Sequence, residues 1–84
     1  MTTNSYHGTV NTNSEWQTVT DATGFTFTEG KNYNMSISNL AYLRIAEAVF
    51  PFNNEKFPYV QTSDPLYIKT LYNGGAEISI LEVS

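Results

Sequence analysis

The clearest alternation along the chain sets Tyr33, Met35 and Ile37 against Asn34, Ser36 and Ser38. A period of two places the first set on one face of a strand and the second on the other. Just upstream, "FTFT" does the same with Phe25 and Phe27 against Thr26 and Thr28. The Gly-containing "EGKN" separates the two runs at hairpin spacing. "EWQTVT" predicts a first strand anchored by Trp16, and "DATG" a turn after it. Near the end, Leu66, Ile68 and Thr70 alternate with Tyr67, Lys69 and Leu71. Beyond "NGG", Ala76, Ile78 and Ile80 alternate with Glu77 and Ser79, which together predicts a second hairpin. The adjoining Ile80 and Leu81 predict a bulge at that point.

Residues 40–49 carry two patterns at once. Tyr42, Ile45, Ala46 and Val49 recur at helical spacing, and Asn39 stands where a helix cap would. As a strand, the same stretch puts Ala41, Leu43, Ile45 and Val49 on one face and Tyr42, Arg44 and Ala46 on the other. The clear periods on either side are those of strands, so strand is the preferred reading, with helix left open. Phe50 to Tyr59 then becomes a connection over one end or flank of the sheet, kept extended by Pro51 and Pro58. Residues 1–13 have only Tyr6 and Val10 to bury and read as a flexible N-terminal arm. The expectation is an all-β chain: one domain over 14–84, a small antiparallel sandwich or barrel of about six to seven strands.

Composition sharpens this. With 84 residues and no cysteine, the chain forms one small domain without a disulfide staple, so aromatic packing or association must compensate. Aromatic and charged residues each make up 14 %, where soluble domains average about 25 % charged. One Trp, six Tyr and five Phe are too many to bury in a small sandwich. Phe50, Phe52, Phe57 and Tyr59 are therefore the candidate protein interface, with a plug for an open end of the sheet as the other reading.

The net charge is −4, and the basic residues Lys31, Arg44, Lys56 and Lys69 are dispersed along the sequence. Phosphate binding needs neighbouring cations, so neither nucleic acid nor a membrane surface is an expected partner. No apolar run approaches the roughly 18 residues of a membrane span, and "MTTNSYHGTV" lacks the features of a signal peptide. Synthesis in a cytoplasm is expected.

Catalytic patterns are sparse. The sole histidine, His7, falls in the expected arm, and a nucleophilic triad needs a base held beside its nucleophile. Most carboxylates sit at turns or on polar strand faces. Glu47, on the mainly apolar face of the strand reading, is assigned to a strand end or to a pair with Arg44 or Lys69. No metal loop, zinc signature or phosphate-binding glycine loop occurs. The expectation is a non-enzymatic protein with no cofactor and no metal.

The succession "EWQTV", "GFTFTEGKNYNMSI", "LRIAEAVFP" and "PLYIKTLYNGGAEISILEV" resembles the small β-sandwich structural proteins of tailed bacteriophages, of head decoration, head fibre or tail-associated type. Trp16, Tyr33, Ala46-Glu47-Ala48, Pro51 and Leu66-Tyr67-Ile68-Lys69 carry the resemblance, which covers Glu15 to Val83. "KFPYV" departs from it. The resemblance implies a virion component, made in the host cytoplasm, that contacts a major capsid or tail protein and forms a homo-oligomer, with a trimer expected. The rival reading is a carbohydrate-binding or adhesin module, which would stack exposed Trp16 or tyrosine rings on sugar.

Overall fold

The structure, a computed structural model, describes residues 5–11, 13–70 and 75–83. Among the described residues there are six strands and one short helix: β1 (Ser5–Val10), β2 (Asn13–Thr18), α1 (Val19–Thr23), β3 (Asn32–Ile45), β4 (Ala48–Val60), β5 (Leu66–Thr70) and β6 (Ala76–Glu82). All pairings are antiparallel, in the order β1-β6-β3-β5-β2, with β4 on the opposite edge of β3. The single sheet curls into a half-barrel, so the chain is all-β.

β3 organises the sheet. Its first half carries β6 (Tyr33↔Glu82 to Ser38↔Glu77), and its second half carries β5 on the same edge (Tyr42↔Lys69 to Ile45↔Leu66). The expected β5–β6 hairpin is therefore not a paired hairpin, since the two strands lie end to end along β3. Residues 71–74, including Asn73 and Gly74 of the "NGG" turn, lie outside the described residues. The bulge expected at Ile80-Leu81 is absent. Register with both neighbours runs unbroken there, with Ile80 buried and Leu81 turned outward.

Residues 40–49 do not form a helix. β3 continues to Ile45, Ala46 and Glu47 make a two-residue turn, and β4 begins at Ala48. Ala46 takes φ 52°, the sign that hairpin turns matching strand twist require at their first loop position. Glu47 is accordingly an exposed turn residue.

The segment 1–13 departs from the expected arm where it is described. Ser5–Val10 pairs with β6 from Ser5↔Leu81 to Val10↔Ala76. Tyr6, Gly8 and Val10 face inward opposite Ile80, Ile78 and Ala76, and Val10 is 2 % exposed. The alternation is hidden in sequence because Gly8 has no side chain, and the Tyr6 ring occupies the space its Cβ would need.

"FTFT" keeps its alternation without a ladder. Phe25 is buried and Phe27 partly so, but the Thr28 N–H donates to the Tyr33 hydroxyl at 2.7 Å. The side chain of Tyr33 thus takes the place of a strand partner. The "DAT" of "DATG" ends helix α1, which also takes in Val19 and Thr20 of the expected first strand and is capped by Thr18, whose hydroxyl accepts from the Asp21 N–H at 3.0 Å. Gly24 ends it at φ 81°, the left-handed conformation a C-terminal glycine adopts without cost.

The core lies on the inner face: Tyr33, Met35, Ile37, Ala41 and Leu43 from β3, Leu66 and Ile68 from β5, and Ala76, Ile78 and Ile80 from β6, closed by Val10, Val19, Phe25 and Tyr59. Burial of each large apolar side chain contributes roughly 1.5–3 kcal/mol.

Candidate interaction surface

The aromatic segment 50–59 is strand, not a connection. Among the described residues β4 pairs only with β3, along almost its whole length from Asn32↔Val60 to Ile45↔Ala48. Its outer edge explains the two prolines. A proline in a ladder is tolerated where its missing N–H would point away from the partner strand. Pro51, opposite Tyr42, and Pro58, opposite Asn34, remove two donors from that edge. β4 is therefore a poor template for an added strand.

The four candidate aromatics separate into three environments. Tyr59 is 7 % exposed and belongs to the core. Phe27 meets Tyr33 and Tyr59 nearly edge-on, with centroids 4.9 and 5.3 Å away. The Tyr59 hydroxyl donates to Gln61 Oε1 at 2.6 Å, and Gln61 Nε2 donates to the Thr62 and Asp64 carbonyls at 2.8 and 3.0 Å. Burial, with Tyr33 beside it, pushes the Tyr59 phenol up to about 12. It stays neutral and fastens the loop before β5.

Phe52 and Phe57 are partly buried against the core and stack on one another, centroids 4.1 Å apart and planes 15° from parallel. Phe50 is 44 % exposed. With Leu43, Ile45, Pro58, Tyr59 and Leu66 these three line an apolar groove of about 170 Å³. Val49, next to Phe50 in the chain, is also exposed. Within this one strand Tyr59, Phe57 and Phe52 close the inner face, and Phe50 at its end is exposed.

The sequence missed two other groupings. His7, expected to be solvated in an arm, lies in β1 with Nδ1 2.6 Å from Ser79 Oγ. The pair sits on the outer face beside Ser36 and Lys56, in an open groove without the enclosed apolar lining usual for a reaction pocket. Trp16, expected to anchor the first strand as a core or second-face residue, is partly buried on the outer face. Arg44 Cζ lies 5.1 Å and Lys69 Nζ 4.7 Å from its ring centroid. These cations are dispersed in sequence and adjacent in space, because Tyr42↔Lys69 and Arg44↔Tyr67 are paired across β3 and β5.

Among the described residues no group of three or more His, Cys, Asp or Glu side chains is placed to hold a metal, and no helix is long and apolar enough to cross a membrane. The fold and surface define a class: an all-β half-barrel with a proline-guarded, aromatic edge strand. No protein-family model, curated protein or solved structure matches the chain.

Proposed function

We propose that the chain is a non-enzymatic structural component that acts through protein–protein contacts, in a tailed-phage virion as a capsid decoration or head- or tail-associated protein. The carrying observation is the exposed Phe50 that lines an apolar groove on an edge strand that cannot readily accept another strand. Exposed aromatic surface of this kind is what interface cores are made of. The virion assignment rests on the sequence resemblance over Glu15 to Val83. The carbohydrate reading is disfavoured by Trp16, whose ring the chain's own Arg44 and Lys69 already approach, and by the dominance of Phe over Tyr at the groove.

Quantitative mass spectrometry of purified particles tests the proposal. A copy number comparable to the major capsid protein is the expected result, and absence from the particle sinks the virion assignment. Phe50→Ser tests the contact itself: assembly should be lost while the isolated protein stays folded.

A further inference from the structure

The outer face carries a second surface, remote in character from the apolar groove. We infer that the cluster of Trp16, Arg44, Tyr67 and Lys69 is a docking site for a carboxylate-bearing segment of a partner protein. Arg44 Cζ lies 4.4 Å from the Tyr67 ring centroid and 5.1 Å from that of Trp16, with Lys69 Nζ 4.7 Å from the same indole. Two of only four cations in a chain of net charge −4 are thus gathered at one tryptophan.

Three features give this cluster the character of a binding site. Arg44 Nε is buried and has no hydrogen-bond partner, and folded proteins seldom leave such a donor unused. Two cations that approach one ring repel each other, and an anion bound beside them would offset that repulsion. The guanidinium is flanked by two aromatic side chains, so its planar fork is largely ordered in advance and loses little freedom on meeting a carboxylate. Trp, Tyr and Arg are also the residues in which interface binding energy concentrates.

The chemistry selects among anionic partners. Cations occupy the aromatic surroundings, which leaves poor platforms for a sugar ring. Two cations release too few counterions to hold a nucleic-acid backbone. An acidic peptide segment matches the charge of the cluster. This inference concerns a different face from the Phe50 groove, so either can fail without the other.

Trp16 is the sole tryptophan, so its emission reports on the site directly. The full chain is titrated with a short polyglutamate peptide, and in parallel with an oligogalacturonate as an acidic sugar. A saturable change with the peptide is expected, weakening as salt rises. Affinity should fall at least tenfold in Arg44→Gln and in Lys69→Gln, and less in Arg44→Lys, which keeps the charge and loses the fork. Lys69→Gln keeps the test decisive if Arg44→Gln does not fold. No saturable response to the peptide, unchanged affinity in folded Gln variants, or tighter binding of the sugar would each overturn the inference.

Discussion

Phe52 and Phe57 stack ring on ring at 4.1 Å although they stand five positions apart in one strand. In a regular strand an odd separation puts two side chains on opposite faces. The cause lies between them. From Ile37↔Glu55 to Leu40↔Asn53, β3 carries one more residue than β4, and Asn39 and Asn54 there take φ 70° and 54°. The irregularity bends the ladder and changes which residues of β4 face inward, from Tyr59 and Phe57 to Phe52 and Phe50.

Asn54 holds this bend, because its Oδ1 accepts from the Asn39 N–H at 3.0 Å. Asn54→Ala should therefore cost about 1–3 kcal/mol, combining a left-handed alanine with a lost hydrogen bond. Asn54→Gly keeps the backbone and loses only the side-chain hydrogen bonds, to the Asn39 N–H, Ser38 Oγ and Asn53 Oδ1, so it should cost about 1 kcal/mol. Urea denaturation of the two variants separates these contributions. Equal losses would place the whole effect in the side-chain bond.

How much of this was legible in sequence follows from the same geometry. Tyr33, Met35 and Ile37 lie in an uninterrupted stretch of β3, and their alternation read directly as core. β4 could not be read so, because its inward positions change parity at the bend and its prolines carry the composition of a loop. The turn joining β3 to β4 is also silent, since Ala46 adopts a conformation that Gly or Asn would have signalled. Long-range partners were hidden altogether: nothing local indicates that Ser5–Val10 finds β6, or that Arg44 and Lys69 meet at Trp16.

Ala46 can be improved upon. An alanine at φ 52° carries a left-handed penalty of roughly 1–2 kcal/mol, part of which glycine returns as unfolded-state entropy. Ala46→Gly should stabilise the protein by about 0.5–1 kcal/mol, seen as a higher urea midpoint with an unchanged slope. A lower midpoint would mean that the turn is not under this strain.

Gly75 makes the opposite case. It holds φ 77°, and a Cβ there would overlap the Val10 carbonyl oxygen, a backbone atom with little room to move. Gly75→Ala should cost more than about 2 kcal/mol. It should also loosen β1 from β6, because Val10 stands at the end of that ladder. Hydrogen exchange resolves this: amides of Ser5–Val10 should lose protection first. Uniform loss across the sheet would contradict a local role for the contact.

The Tyr59 phenol gives the fold an alkaline limit. Its folded value of about 12 lies above the 10.0 of an ordinary phenol. The folded state thus keeps a proton that the unfolded state gives up, and stability falls as pH rises between those values. Below pH 10 the contribution is fully present, and its loss by about pH 12 is on the order of 2 kcal/mol. Tyr59→Phe should flatten this dependence in alkaline denaturation and remove one late-titrating tyrosine from the tyrosinate absorbance curve. An unchanged curve would assign the late titration to another residue.

The division of the aromatic strand between core and contact predicts a contrast between neighbours of one chemical type. Phe57 packs on Phe52 and against the core. Phe57→Ser should therefore cost about 2–4 kcal/mol, since it opens a cavity and places a hydroxyl in apolar surroundings. Phe50 is 44 % exposed, and Phe50→Ser should change stability by no more than about 0.5 kcal/mol. Thermal unfolding of both variants, read beside their incorporation into particles, separates folding from docking. A Phe50→Ser protein as unstable as Phe57→Ser would make Phe50 part of the core and leave the groove without an exposed contact residue. A stable Phe50→Ser protein that no longer assembles is the pairing the proposed function expects, because an exposed ring contributes little to the fold.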